Sequence, residues 1–272
     1  DAKINLENVS SDINSSLPAR NLNEMSDDSR SRLFNYTNPQ VALDAINEDA
    51  VLSQLKRLKK NRSPGVDGFT IEHLISLMLG GNRDVQLKSE LIKEYTLFLK
   101  KFLTGSLTQH QLQLFHAIKL AAIPKDHYES RIIMMFGVHA KIVFSIFTSS
   151  KIKRDIQKKN FIHQYGTKSS GAETIIHMFQ QTIIQKPNFD IFCADAVKAF
   201  YNLNRDLAMK KLKAECPEYF NLFMDKYNGS SNAFFFGLVQ GVQKFVQSEG
   251  GGPGSPEMSF LYELGINEFV QN

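Results

Sequence analysis

Runs of strand character are few and far apart in this sequence, and that spacing limits the fold more than any other feature. "IKLAAIPK" reads as a strand leading into a turn, "FDIFCA" as a short buried strand, and "NAFFFGLVQGVQKFVQ" as strand-like residues running into a glycine turn. Between them apolar residues recur at helical spacing. The spacing predicts helices over 70–79, 87–103 and 107–118, and Val41, Leu43, Ala45, Ile46, Val51, Leu52, Leu55 and Leu58 continue one helical pattern that starts after Asn38-Pro39. "SPGVDG" breaks that pattern. "AKIVFSIFTSSKIKRDIQ" and "SSGAETIIHMFQQTIIQ" are helical in spacing, and "NRDLAMKKLKAECPEYFNLFMDKY" is helical up to a break near Pro217. Many helices with a few separated strands imply an α+β fold, and no repeat or low-complexity tract suggests otherwise.

At 272 residues with 42% hydrophobic content, the chain can bury a substantial core. It has no apolar run of about 18 residues and no basic-then-apolar N-terminal pattern, so the expectation is an intracellular protein with no membrane partner. It starts without Met, as a processed protein or a fragment would. Cys193 and Cys216 show neither metal spacing nor a disulfide framework. Charge is unevenly placed: residues 1–50 hold 4 Lys/Arg against 9 Asp/Glu, leaving 28 against 19 for the remainder. Residues 1–40 therefore read as a polar, acidic, loosely held leader with a short helix or two, ahead of a basic body.

Several segments of that body have the residue types that meet phosphate. "LKRLKKNR" and "KIKRDIQKKN" present Lys59, Lys60, Arg62 and Lys151, Lys153, Arg154, which suit a polyanion and suit a solvated helix face equally well. In "AIPKDHYESR", Lys125 and Arg131 flank a polar turn, so a hairpin would aim an ammonium and a guanidinium together; the alternative is two solvated cations. "SEGGGPGSPEMSF" places Ser255 among glycines at the start of a helix, either a close-approach loop with free amides or a flexible connection. Asp195 lies at the expected C-terminal end of the "FDIFCA" strand, where a carboxylate holds a divalent metal or caps the following turn.

In order and rough spacing, "KNRSPGVDGFTIEHL", "IPKDHYESRIIMM", "QYGTKSSGAETIIHMF", "CADAVKAFYNL" and "EGGGPGSPEMSFLYEL" resemble a reverse transcriptase domain, most closely that of LINE-type, non-long-terminal-repeat retrotransposons. The resemblance runs from about Leu52 to the C-terminus. It implies the fingers and partial palm of a right-hand polymerase: fingers over 41–186, palm over 187–272, helix-rich with a small antiparallel sheet and no thumb. Asp195 would be the catalytic, Mg2+-binding Asp of the first palm motif. Phe200 would be the aromatic that excludes a ribose 2′-OH, Lys125 and Arg131 the grip on the incoming dNTP, and Gly254, Ser255 and Pro256 the loop that shapes the nucleotide site.

The departures from the family pattern are specific. Tyr201 stands where such palms carry an Asp, Pro253-Gly254 where the loop reads Gln-Gly, and Arg131-Ile132 where it reads Arg-Pro. The family's aromatic-Ala-Asp-Asp hairpin does not occur, and the one Asp-Asp pair, Asp27-Asp28, is in the leader. Two-metal nucleotidyl transfer needs more than one carboxylate. The resemblance therefore implies either an RNA-directed DNA polymerase of a retroelement lacking its second catalytic motif within these residues, or a captured, catalytically silent relative serving as a structural or RNA-binding part of a ribonucleoprotein. Expected partners are an RNA template and RNA/DNA duplex with dNTP in the first case, and structural RNA with ribonucleoprotein proteins in the second. The expected location is the nucleus for the first and an organelle or the cytoplasm for the second.

Overall fold

The structure is a computed structural model and describes residues 6–17, 37–81, 84–125, 130–160, 164–166, 168–193, 195–237 and 241–271. Local signals set most of its helices. The single helical pattern expected after Pro39 divides in two: with α1 as Leu6–Ser16, α2 is Gln40–Ala45 and α3 is Glu48–Arg57. Asn47 causes the division, because its side chain accepts from the Ala50 amide and starts a fresh helix. Glu48 and Asp49 then lie at the positive end of α3, and Lys56 and Arg57 at its negative end. Helices α4 (Ile71–Met78), α5 (Val85–Thr104) and α6 (Gln109–Phe115) follow close to their expected positions. Thr108 and Gln111 form a capping box on α6, and α5 stops at Gly105, whose φ of 65° is left-handed.

Strands β1 (Ile118–Pro124) and β2 (Ser130–Phe136) form an antiparallel hairpin, with Ile123 opposite Arg131. Then come α7 (Val138–Ser149), α8 (Lys151–Asn160), α9 (Gly171–Gln185), α10 (Arg205–Glu215), a short 3-10 turn at Pro217–Tyr219 and α11 (Phe220–Tyr227). A second hairpin, β3 (Ser231–Gly237) and β4 (Gly241–Gln247), precedes the last helix, α12 (Met258–Gln271). The sheet order is β2-β1-β3-β4.

Two expectations are corrected here. The sheet is mixed, not antiparallel: β1 and β3 pair in parallel, Ile118 with Ala233 and Leu120 with Phe235. Parallel neighbours require a long connection, and the helices between β2 and β3 supply it. "FDIFCA" is not a strand. Residues 189–193 are exposed and irregular, because a strand exists only against a neighbouring edge and no described strand pairs with this segment.

Burial is divided between two clusters. The larger joins the helices, with α7 contributing Ile142, Val143, Phe144 and Phe147 and α11 contributing Phe220, Leu222 and Phe223. The smaller lies on one face of the sheet, where Val9, Ile13 and Leu17 pack on Ile118, Leu120, Ile132, Met134, Phe136 and Ala233. The described part of the leader is thus not loosely held. Its helix α1 packs on one face of the sheet, and it is pinned at three further points: Asp12 accepts from the Ser130 amide, Ser10 donates to Gln243, and Lys198 donates to Ser15. The rest of the leader that was expected to be polar, 1–5 and 18–36 with Asp27-Asp28, lies outside the described residues, as does the polar turn 126–129.

Candidate functional site

A cleft of about 690 Å³ runs along β2, the edge strand of the sheet, and segments distant in sequence meet in it. The first is the turn after α3. There Asn61 takes a left-handed φ of 55° and its amide donates to the Glu72 carboxylate. The turn can approach the β2–α7 corner closely only because Gly65 has no side chain: a Cβ there would lie 2.7 Å from the Gly137 amide nitrogen. Asp67 closes the "VDG" turn by accepting from the Phe69 amide. The consequence is that Lys59 and Arg62 line the cleft beside Phe69, facing β2.

Lys141 on α7 is the third cation in the lining, and among the described residues no carboxylate belongs to that lining, although Asp67 is close enough to act on Lys141. Burial depresses the Lys141 pKa against the opposing pull of Asp67, and Lys226 and Arg62 push it the same way as burial. Three cations against the single nearby carboxylate of Asp67, one of them partly desolvated, make a site that an anion stabilises. The helical spacing of α7 reads as core in the sequence, so Lys141 carries no signal there. Only its tertiary position shows it.

The glycine loop forms the other wall, with Gly254 and Pro256 in the lining. Two amides tie this loop to the turn that follows Asp195: Gly250 donates to Leu203 and Gly251 to Phe200 at 2.7 Å. A side chain is excluded at Gly250, whose φ is 61° and whose Cβ would sit 1.9 Å from the Tyr201 carbonyl oxygen. Arg205, buried at the start of α10, holds the same loop by donating from Nε to the Gly250 carbonyl. Beneath it lies a buried polar network. Lys226 donates from Nζ to Ser255 Oγ and Glu257 Oε1, both at 2.6 Å, while Tyr227 and Ser255 also donate to Glu257. Burial lowers the Lys226 pKa and the Glu257 carboxylate opposes that. The ammonium also sits 4.2 Å from the Phe136 ring centre. Such a network fixes the loop at a large cost if one member is removed.

The expected site residues divide between this cleft and other places. Lys59, Arg62 and Gly254 line it, and Lys60 is exposed outside it. Ser255 is turned inward to Lys226 and Glu257 and is not in the lining of this cleft. Phe200 is half-buried with its ring 5.5 Å from that of Tyr262, in edge contact. Tyr201 donates to the Ile132 carbonyl and so joins the Asp195 turn to β2. Lys125 and Arg131 are exposed at the turn end of the β1–β2 hairpin and are not in the lining. On α8, Arg154 donates to the Ser149 carbonyl, Lys153 is half-buried near Glu263, and Lys151 is exposed, all away from the cleft.

Asp195 is exposed and does not line the cleft. Among the described residues no group of three or more His, Cys, Asp or Glu side chains could hold a metal ion. Asp195 would supply one carboxylate to a Mg2+, whereas a catalytic two-metal site needs further protein oxygens that the described residues do not bring beside it. Among the described residues no helix is long and apolar enough to cross a membrane. Comparison with protein-family models and with curated proteins finds no match for the chain.

Proposed function

We propose that this chain is the fingers and upper palm of an RNA-directed DNA polymerase of retroelement type, and that its own residues bind nucleotide and template phosphates in the cleft along β2. The observation that supports the reading is convergence. The basic turn, β2 and the glycine loop, three of the segments that carry the resemblance, line one cation-rich cleft, and the Asp195 turn is bonded to the glycine loop that forms its wall. Lys59, Arg62 and Lys141 would neutralise a polyphosphate, Gly254 would let it approach backbone, and the apolar Phe69 and Ile133 would lie against a base. Lys125 and Arg131 would reach in from the hairpin end.

In this reading the chain binds and positions, and nucleotidyl transfer requires carboxylates beyond Asp195. A fluorescent deoxynucleoside triphosphate titrated into the chain should bind with an affinity that falls roughly tenfold or more in Lys59→Ala/Arg62→Ala, in line with two lost charge-assisted contacts. Unchanged affinity would retire the proposal.

A second reading, a catalytically silent relative that binds RNA within a ribonucleoprotein, is favoured by the inward orientation of Ser255 and the packing of Phe200 on Tyr262. The two separate on primer extension by the natural full-length protein with RNA template and Mg2+. Extension that Asp195→Ala abolishes selects the polymerase, and stoichiometric RNA association without extension selects the silent form. Nuclear location accords with the first and organellar or cytoplasmic location with the second.

A further inference from the structure

The sheet has two unlike faces. One is covered by α1. On the other, the cross-strand register aligns Met135, Lys119, Phe234 and Lys244 in one row across all four strands. Lys119, Arg131 and Lys244 are the only charged residues in the strands, all three are basic, and all three belong to this second face. Among them stand exposed apolar side chains: Phe236 at 48%, Val242 at 60%, Val246 at 49% and Ile123 at 52%. The Lys119 ammonium lies 5.5 Å from the Phe236 ring centre, which leaves the ring flanked by charge.

We propose that this face is a platform for single-stranded RNA. A sheet surface whose described strand residues mix exposed aromatic and aliphatic groups with cations, and include no carboxylate, complements unstacked bases joined by phosphates. A protein partner of ordinary composition would leave the cations unmatched. A duplex would meet them with phosphates and leave Phe236 without a base to stack on. A four-stranded sheet backed on one face and open on the other, with aromatics among basic residues, is also the arrangement by which known RNA modules stack single-stranded bases. Neighbouring strands lie about 4.8 Å apart, so Lys119 and Lys244, two strands from each other, are separated by about 10 Å with Phe234 between them. The face is continuous with the cleft through Ile133 and Met135, which line both. The choice of RNA as the strand rests on the proposed function, whereas the platform itself does not.

The test uses the whole chain, a labelled uridine-rich single-stranded RNA and fluorescence anisotropy across salt. Phe236→Ala should weaken binding about five-fold to a hundred-fold, the range for losing one stacked base. Lys119→Ala/Lys244→Ala should flatten the log–log salt slope by about 1.4, corresponding to two phosphates released. Both variants alter exposed or half-buried positions, and unchanged melting temperatures would show that they fold. Equal binding of single-stranded DNA would overturn the choice of RNA, and equal binding of duplex RNA, or parental affinity in both variants, would overturn the platform. So would a concentration-dependent dimer that Val242→Lys dissolves. The fluorescent nucleotide keeps the two proposals apart: Phe236→Ala should retain it, and Lys59→Ala/Arg62→Ala should lose it whatever happens at the sheet.

Discussion

Helices α7 and α9 look alike as sequences and differ almost completely in the fold. "VHAKIVFSIFTS" buries Val138, Ala140 and every residue from Ile142 to Phe147. "GAETIIHMFQQTIIQ" has as many large apolar groups but buries only Gly171, leaving Ile176 and Ile184 exposed at 55% and 73%. The apolar run after α9, with Phe189, Ile191 and Phe192, is exposed as well. An apolar stripe gives a helix a reason to be buried, but burial happens only where other elements arrive to cover it. Around α7 they do: Phe147 alone meets the rings of Tyr219, Phe223 and Phe260 within 5.2 Å.

That contrast can be broken most directly with matched truncations. Phe147→Ala should cost about 3–5 kcal/mol in urea unfolding, the usual range for a buried ring, while Phe179→Ala on α9 should stay within about 0.5 kcal/mol. Equal costs would show that α9 is covered in solution. Lys226→Ala should be comparably severe, about 3–5 kcal/mol, because it strands the fully buried Glu257 carboxylate. Lys226→Ala/Glu257→Gln should recover part of that loss. Recovery of none would mean that the pair matters through packing alone.

Acid sharpens the comparison on the buried side. His116 lies under the helical core with both ring nitrogens unpartnered, beside Asp225 and Lys226 around a cavity of about 220 Å³, and burial followed by the Lys226 charge pushes its pKa down to about 3. The folded pKa is below the unfolded value of 6.5, so the unfolded chain binds the proton first. Stability is therefore intact above pH 6.5 and declines by about 1.4 kcal/mol per pH unit below it, down to about pH 3. His116→Gln should flatten that part of the stability–pH curve, and a curve of unchanged slope would exclude His116 as its source. The smallest effect belongs to α9: Ile176→Lys/Ile184→Lys should shift stability by under about 0.5 kcal/mol while reducing self-association in light scattering.

Much of the fold was legible where the controlling interactions are local. The break at "SPGVDG", the helices over 71–78 and 85–104 and the β1–β2 hairpin follow from apolar period, caps and turn residues within one segment. Asn47 could have been read as a cap dividing α2 from α3, and Glu48-Asp49 after it was the signal. The site was legible in part. Lys59, Arg62 and Gly254 were expected from basic and glycine-rich stretches and do line one cleft, whereas Lys141 was hidden in a core-like helix and Ser255 was expected at a ligand but bonds Lys226 and Glu257.

The sequence by itself determined most of the helical segments, the break at "SPGVDG" and that a basic body would present cations on turns, because those properties depend on neighbours within a few residues. The tertiary structure alone decided that β1 pairs with β3 in parallel, that α1 covers one face of the sheet and leaves the other exposed, that residues 189–193 have no strand partner among the described residues, and that α7 is buried while α9 is bare. Each of these depends on whether a distant segment is present at the right edge or face. Sequence periodicity shows that a surface has a reason to be covered, but the covering element is set by long-range packing and strand pairing, which leave no local trace.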